Sequence, residues 1–331
     1  MKLKWLFLPL VLMAAACGDN VPENDNPVFR EPALKKVTEA INKNPENAQL
    51  YFERATLLDG LEEDSLALMD YKKAISLDSN RAEYYSAIGD MLFEHKDLEG
   101  SVQWLEKAMQ LNPDDRKAHL KLAKLFLYIE EYNKALAEIN TVLRQDVYNP
   151  EGYYLKGMVY KSLKDTTKSI SSFLTALQVE PTYKDAMVQL GIMYSMKGDP
   201  IALKYYDNAY KLDSMDMFPL FARGVYYQDK GDFETAKQEY IRVILKDRNY
   251  TNPYYNLAYI YMEQDSLDKA FRQYDILTKL DPQDPEAYFN RGVCYERMGK
   301  QKEAIIDYKQ ALVFDETYAE PKEALQRLKA K

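Results

Sequence analysis

Few side chains in this 331-residue chain are of a type that does chemistry: two histidines, His95 and His119, and two cysteines, Cys17 and Cys294. A zinc site needs three or four His, Cys or carboxylate ligands brought together, and neither histidine has a cysteine beside it. The acidic run DGLEEDS, residues 59–65, lacks the Asp/Asn/Gly spacing of a calcium loop and reads as a solvated turn. There is no glycine-rich phosphate loop and no G-x-S-x-G elbow. The expectation is therefore no catalytic residue, no metal and no cofactor, hence a protein that is not an enzyme.

The chemistry that remains is at Cys17. Trp5 to Ala16 is an apolar stretch of twelve residues interrupted by Pro9, too short for the roughly 20 residues that cross a bilayer. With Lys2 and Lys4 ahead of it and Ala14, Ala15 and Ala16 behind, it has the three-part pattern of a secretory signal. Residues 1–16 are accordingly set apart from the fold. The tail of this segment resembles a bacterial lipoprotein signal, in which small residues precede a cysteine that is acylated on sulfur and becomes the mature N-terminus. The resemblance implies lipidation at Cys17, although Ala14 stands where that family usually has a branched apolar residue. Ala14-Ala15-Ala16 also satisfies the A-x-A rule, which would leave a soluble exported protein with a plain thiol. Two or three acyl chains, at about 0.8 kcal/mol per buried CH₂, would hold the chain on a membrane. By the same resemblance, Gly18 rather than an acidic residue after the cysteine points to the outer membrane.

Losing Lys2 and Lys4 with the signal takes the formal charge from −8 to −10. A chain this acidic, without a dense Lys/Arg cluster, repels phosphate backbones, so nucleic acid is excluded as a partner. With Cys17 acylated, Cys294 would have no partner for a disulfide, and packing alone would hold the fold. Residues 17–31, polar and proline-containing, read as the lipidated N-terminus and a flexible tether.

From there on the chain is periodic. A small residue recurs at Ala55, Gly89, Ala123, Gly157, Gly191, Gly224, Ala258 and Gly292, every 34 residues except for one step of 33. A second small series follows twelve residues behind, from Ala67 and Ser101 to Ala270 and Ala304, with the single deletion falling at KGDP, in the expected turn between two helices. Bulky residues keep the same register, for example Tyr71, Leu105, Ile139, Phe173, Tyr206, Tyr240, Tyr274 and Tyr308. With prolines such as Pro113, Pro181 and Pro282 after the second helix, this resembles the tetratricopeptide repeat. The physical logic agrees: small residues on both helices let two backbones cross closely, and each pair buries a face only when a neighbour stacks on it. Most of the 28 tyrosines are then packing residues whose hydroxyls reach a rim.

The expected architecture is an all-α fold, an α-solenoid or TPR superhelix of about eight helix-turn-helix repeats over residues 48–317. A capping half repeat at 32–47 puts Ala33, Val37 and Ala40 in the register of Ala67, Tyr71 and Ala74, and a polar helix at 318–331 closes the other end. Eighteen helices result. His119 holds the fourth position of its repeat, where other copies have Tyr, and reads as a core substitute; His95 reads as a surface residue, and Cys294 as a buried inert thiol.

In this family the first helices line a concave face, with the second, fifth, ninth and twelfth positions pointing into it. The fifth and ninth positions are mixed and partly charged in the first three repeats. From the fourth onward they are Tyr154, Met158, Val188, Ile192, Phe221, Val225, Tyr255, Tyr259, Phe289 and Val293, all apolar or aromatic. Exposed, such a stripe would be a groove for an amphipathic helix or an extended apolar peptide; wound tightly, it would be core. The carboxylate clamp known in the family needs a Lys/Asn pair at the fifth and ninth positions, which no repeat carries. The function expected is a non-catalytic scaffold in the bacterial envelope, lipid-anchored at the outer membrane, that binds a partner protein or peptide in its concave groove. The alternative is an accessory subunit that recruits or activates an envelope enzyme or secretion or glycan machinery.

Overall fold

The computed structural model describes residues 26–329. The signal segment 1–16, Cys17 and most of the tether lie outside the described residues. Two compact units divide at Glu138 and Ile139, and no strand occurs among the described residues.

The first unit contains a short 3-10 turn, Pro27–Arg30, then α1 (Pro32–Lys43), α2 (Ala48–Asp59), α3 (Asp64–Leu77), α4 (Ala82–Glu94), α5 (Leu98–Leu111), α6 (Arg116–Tyr128) and the first half of α7 (Tyr132–Gln145). The second unit takes the rest of α7 and continues with α8 (Pro150–Ser162), α9 (Thr166–Val179), α10 (Lys184–Met196), α11 (Ile201–Leu212), α12 (Phe218–Asp229) and α13 (Phe233–Lys246). It ends with α14 (Asn252–Glu263), α15 (Leu267–Leu280), α16 (Pro285–Arg297), α17 (Gln301–Phe314) and α18 (Ala319–Lys329). The described residues thus form eighteen α-helices and no strand, an all-α fold of helical hairpins in which successive helices from α1 to α6 and from α8 to α18 pack on one another.

Both small-residue series do what their size requires. Ala67, Ala135, Ala202, Ala236, Ala270 and Ala304 are fully buried, and the two serines of that series donate to the backbone of the facing helix: Ser101 Oγ to the Gly89 carbonyl at 2.7 Å and Ser169 Oγ to the Gly157 carbonyl at 2.9 Å. Only residues this small let two helix backbones come that close. Each bulky residue of the second-helix column, Tyr71 through Tyr308, is buried.

The turn inside every hairpin contains one left-handed residue at the same place in the repeat: Glu62, Lys96, Glu130, Lys164, Gly198, Gly231, Asp265 and Gly299. The one-residue deletion falls at Pro200, the last residue of KGDP, between α10 and α11, and leaves the hydrogen-bonded part of the turn intact. What shortens is the start of α11, which has twelve residues where the other second helices have fourteen. The reason is that the turn geometry is fixed by its hydrogen bonding: Asp199 N–H reaches the Tyr194 carbonyl at 2.9 Å as Asp165 N–H reaches Tyr160. The first turn of a helix has no such constraint.

Two expectations are corrected at the N-terminus. The tether is shorter than residues 17–31, because Asn26 caps the Pro27–Arg30 turn and Phe29 is buried against the first repeat. The half repeat is out of register: Ala33 is exposed, while Leu34 and Ile41 are buried. Among the described residues α1 has no first helix before it to cross, so a small residue gains nothing there and larger ones fill the interface.

Candidate functional site

The first helices of the hairpins carry the positions expected to meet a partner. In the first unit they border a hollow of about 520 Å³ lined by Phe52, Arg81, Ser86, Asp90, Lys117 and Lys121 among others. Its charged wall comes from α6, whose sequence RKAHLKLAKLFLY has Arg116, Lys117, Lys121 and Lys124 and no carboxylate. Lys117, Lys121 and Lys124 follow at spacings of four and three, which places them on one helix face. Lys121 Nζ donates to Asp90 Oδ2 at 2.5 Å and to Ser86 Oγ at 3.1 Å. Asp115, although it lines the same hollow, is committed to α6 as its N-cap, accepting from Lys117 N at 2.9 Å and Ala118 N at 3.2 Å. Lys121 and Lys124 also border a smaller hollow of about 90 Å³ with Phe93. These lysines occupy second, sixth and ninth positions and are plain in the sequence; the apolar run of the later repeats draws attention away from them.

In the second unit the ten apolar groove residues divide by position. The fifth-position rings are clasped between two others: Tyr154 lies 5.8 Å from Phe173 and 5.4 Å from Tyr183, Phe221 lies 5.7 Å from Tyr240 and 5.8 Å from Tyr250, and Phe289 lies 5.6 Å from Tyr308 and 5.3 Å from Tyr318. Tyr255 lies 6.2 Å from Tyr274 and donates its hydroxyl to Asp284, which stands where the others have the third ring. Each partner ring sits 19 or 29 residues downstream, so one clasp joins both helices of a repeat to the start of the next. Burial pushes the Tyr154, Tyr183 and Tyr255 hydroxyls up from their ordinary pKa, which keeps them neutral donors. Val188 is half-buried and heads no such clasp. At the ninth positions Met158, Ile192, Val225 and Val293 are half-buried, and Tyr259 is 49% exposed. The fifth-position residues are thus mainly packing, and the surface left to solvent is carried by Tyr259 and the edges of its neighbours.

His119 is 5% exposed. Its Nε2 lies 2.9 Å from the Pro113 carbonyl, six residues upstream, just as the Tyr85 and Tyr254 hydroxyls donate to the carbonyls of Ser79 and Arg248 at 3.2 and 3.0 Å. Nδ1 faces Glu138 Oε2 at 2.5 Å. His95, with a side chain 47% exposed, lies 3.1 Å from Asp64. Cys294 is fully buried beside Met262 Sδ at 3.6 Å, and burial pushes its thiol up to about 12. Among the described residues no group of three or more His, Cys, Asp or Glu could hold a metal ion. No helix among them is long and apolar enough to cross a membrane.

Residues 92–159, 150–183 and 257–329 each match a family model described as a tetratricopeptide repeat. The chain is a tetratricopeptide repeat protein. This TPR chain is 24% identical over 80% of its length to DnaJ homolog subfamily C member 7 of Homo sapiens, of which it covers 49%. It is likewise 24% identical over 73% of its length to Protein O-mannosyl-transferase TMTC3 of Homo sapiens, covering 27% of that protein. The TPR chain therefore spans about half or less of these curated relatives. Among solved structures it resembles a tetratricopeptide repeat protein from Parabacteroides merdae, with a TM-score of 0.54 and 16% identity over 76% of this chain and 99% of that one. At that identity the likeness speaks for the fold. TPR proteins generally mediate protein-protein interaction.

Proposed function

We propose that this TPR chain is a non-catalytic scaffold, anchored in the bacterial envelope by lipid on Cys17, which holds a partner protein or peptide against the first-helix faces of its repeats. The observation that carries the reading is the hollow of about 520 Å³ in the first unit, where Phe52 supplies an apolar wall and Lys117 and Lys121 a cationic one. A partner segment that brings a carboxylate displaces Asp90 from Lys121 and replaces one charged hydrogen bond with another, so the exchange costs little. In the second unit, Tyr259 and the half-buried Met158, Ile192, Val225 and Val293, each on the first helix of its own repeat, offer the apolar contacts. The rings of Tyr154, Phe221, Tyr255 and Phe289 stiffen that face, which lowers the entropy lost when a partner binds.

Photo-crosslinking in cells tests this. A photoreactive residue at Ser86 or Met158 is expected to capture one partner, and Lys121→Glu to abolish capture at Ser86. Equal capture from Ile306, which is 65% exposed on a second helix, would refute a preference for the first-helix face. The intact mass of the mature N-terminus tests the anchor: an unmodified Cys17 refutes lipidation.

A further inference from the structure

We propose that a hollow at the N-terminal cap is a subsite for the phosphate of a lipid headgroup, seating the cap on the membrane. This rests on the reading of Cys17 as acylated. The hollow measures about 340 Å³ and lies between the Pro27–Arg30 turn and α1. Its walls are fixed: Asn26 Oδ1 accepts from Val28 N at 3.0 Å, Phe29 is buried, and the Arg54 guanidinium lies 5.3 Å from the Phe29 ring centroid.

Arg30 and Lys35 bring two exposed cations to this hollow, and neither forms an ion pair among the described residues. Neutral donors sit beside them. The Oδ1 of Asn26 is spent on its cap, leaving the amide N–H groups, and Thr38 Oγ accepts from Arg54 Nη1 at 3.3 Å, leaving its own O–H to give. The carboxylate of Glu39 completes the lining. Two cations and N–H and O–H donors next to one carboxylate match a phosphodiester followed by an ammonium, the charge pattern of a phosphoethanolamine headgroup.

Electrostatics and tether length favour a membrane as the source of that phosphate. Within the hollow Arg30 and Lys35 outnumber Glu39, so its lining is net positive in a chain of formal charge −8. An acidic body is repelled by anionic headgroups while the lining of this hollow is drawn to them. Eight residues lie between Cys17 and Asn26, nine steps along the chain, so an acylated Cys17 keeps the hollow within about 32 Å of the bilayer at full extension and about 17 Å as a coil. In the acylated chain the contact is then intramolecular in effect.

The test uses the mature chain carrying Cys17→Ser, which cannot be acylated, and sedimentation with vesicles of phosphatidylethanolamine and phosphatidylglycerol. Each cation near such a surface contributes about a fivefold change in partitioning, so Arg30→Gln with Lys35→Gln is expected to lower it about 25-fold. Lys309→Gln, an exposed lysine on α17, is expected to leave it unchanged. Equal loss with Lys309→Gln, or full partitioning of the double variant, overturns the subsite. So does a rise in melting temperature with inorganic phosphate alone and no vesicle binding, which would make free phosphate the ligand. The mass of the natural N-terminus reads the anchor separately, so failure of the anchor and failure of the subsite give different results.

Discussion

The ring of Phe173 occupies the space where a side chain on Gly157 would be: a Cβ built on Gly157 falls 2.5 Å from Phe173 Cε1 and 2.6 Å from Cδ1. The same relation holds between Gly191 and Tyr206 and between Gly292 and Tyr308, so the small and bulky columns are two halves of one contact. Gly157→Ala is expected to destabilise the second unit by about 1–3 kcal/mol through overpacking, more than the gain of about 1 kcal/mol from helix propensity. Combining it with Phe173→Leu should recover part of the loss, because the shorter side chain vacates the site. Chemical denaturation of the single and double variants measures the coupling; additive effects would show that the contact is not shared.

Arg54 and Asp70 form a buried pair on the two helices of the first hairpin, with Nε to Oδ2 at 2.6 Å, Nη2 to Oδ1 at 2.9 Å and both side chains 3% exposed. Asp70→Ala leaves the guanidinium without its bidentate acceptor and is expected to cost about 3–5 kcal/mol. The double variant Arg54→Met with Asp70→Leu should be far milder, since no charge then remains to be solvated. Urea midpoints of the three proteins decide this; a double variant as unstable as Asp70→Ala would refute it.

The repeat, its helix count and its turns were legible because stacking forces the same steric demand every 34 residues. The small column had to be small, and the structure buries every member of it. What could not be read was how deeply each groove residue sits, because the fifth-position Tyr154 and the ninth-position Tyr259 were expected on one face, and only the fifth position meets rings 19 and 29 residues downstream. Tyr154 is held by Phe173 and Tyr183, whereas Tyr259 stays 49% exposed. The N-terminal cap escaped for a related reason: Ala33 and Leu34 exchange roles where, among the described residues, no partner helix selects a small residue. Lys117 and Lys121 were visible, and their meaning depended on the hollow that α4 and α6 enclose.

Lys164 and Gly231 occupy the same turn position at φ of 60° and 76°. A left-handed conformation costs a residue with a Cβ roughly 1–2 kcal/mol, partly offset because glycine loses more entropy on folding. Lys164→Gly is expected to raise stability by about 0.5–1 kcal/mol, and Gly231→Ala to lower it by about 1 kcal/mol. Nothing lies within 4 Å of a Cβ at Gly231, so that cost is one of backbone conformation alone. Thermal melts that move in the same direction for both variants would contradict the account.

Asp275 lies between Lys279 Nζ at 2.6 Å and Arg291 Nη1 at 2.9 Å. Burial works against its ionised form, but the ammonium and guanidinium outweigh that and hold the carboxyl below the usual carboxylate range. A depressed folded pKa means that the stabilisation is complete above the unfolded pKa of about 3.9 and is lost as pH falls through the folded value. The second unit should therefore lose stability on acidification below about pH 4, and Asp275→Asn should flatten that acid limb while lowering the plateau at neutral pH. Denaturant unfolding from pH 7 to pH 2.5, followed for both proteins, gives the comparison. Parallel curves, with the variant displaced by a constant amount at every pH, would mean that the carboxyl titrates alike folded and unfolded.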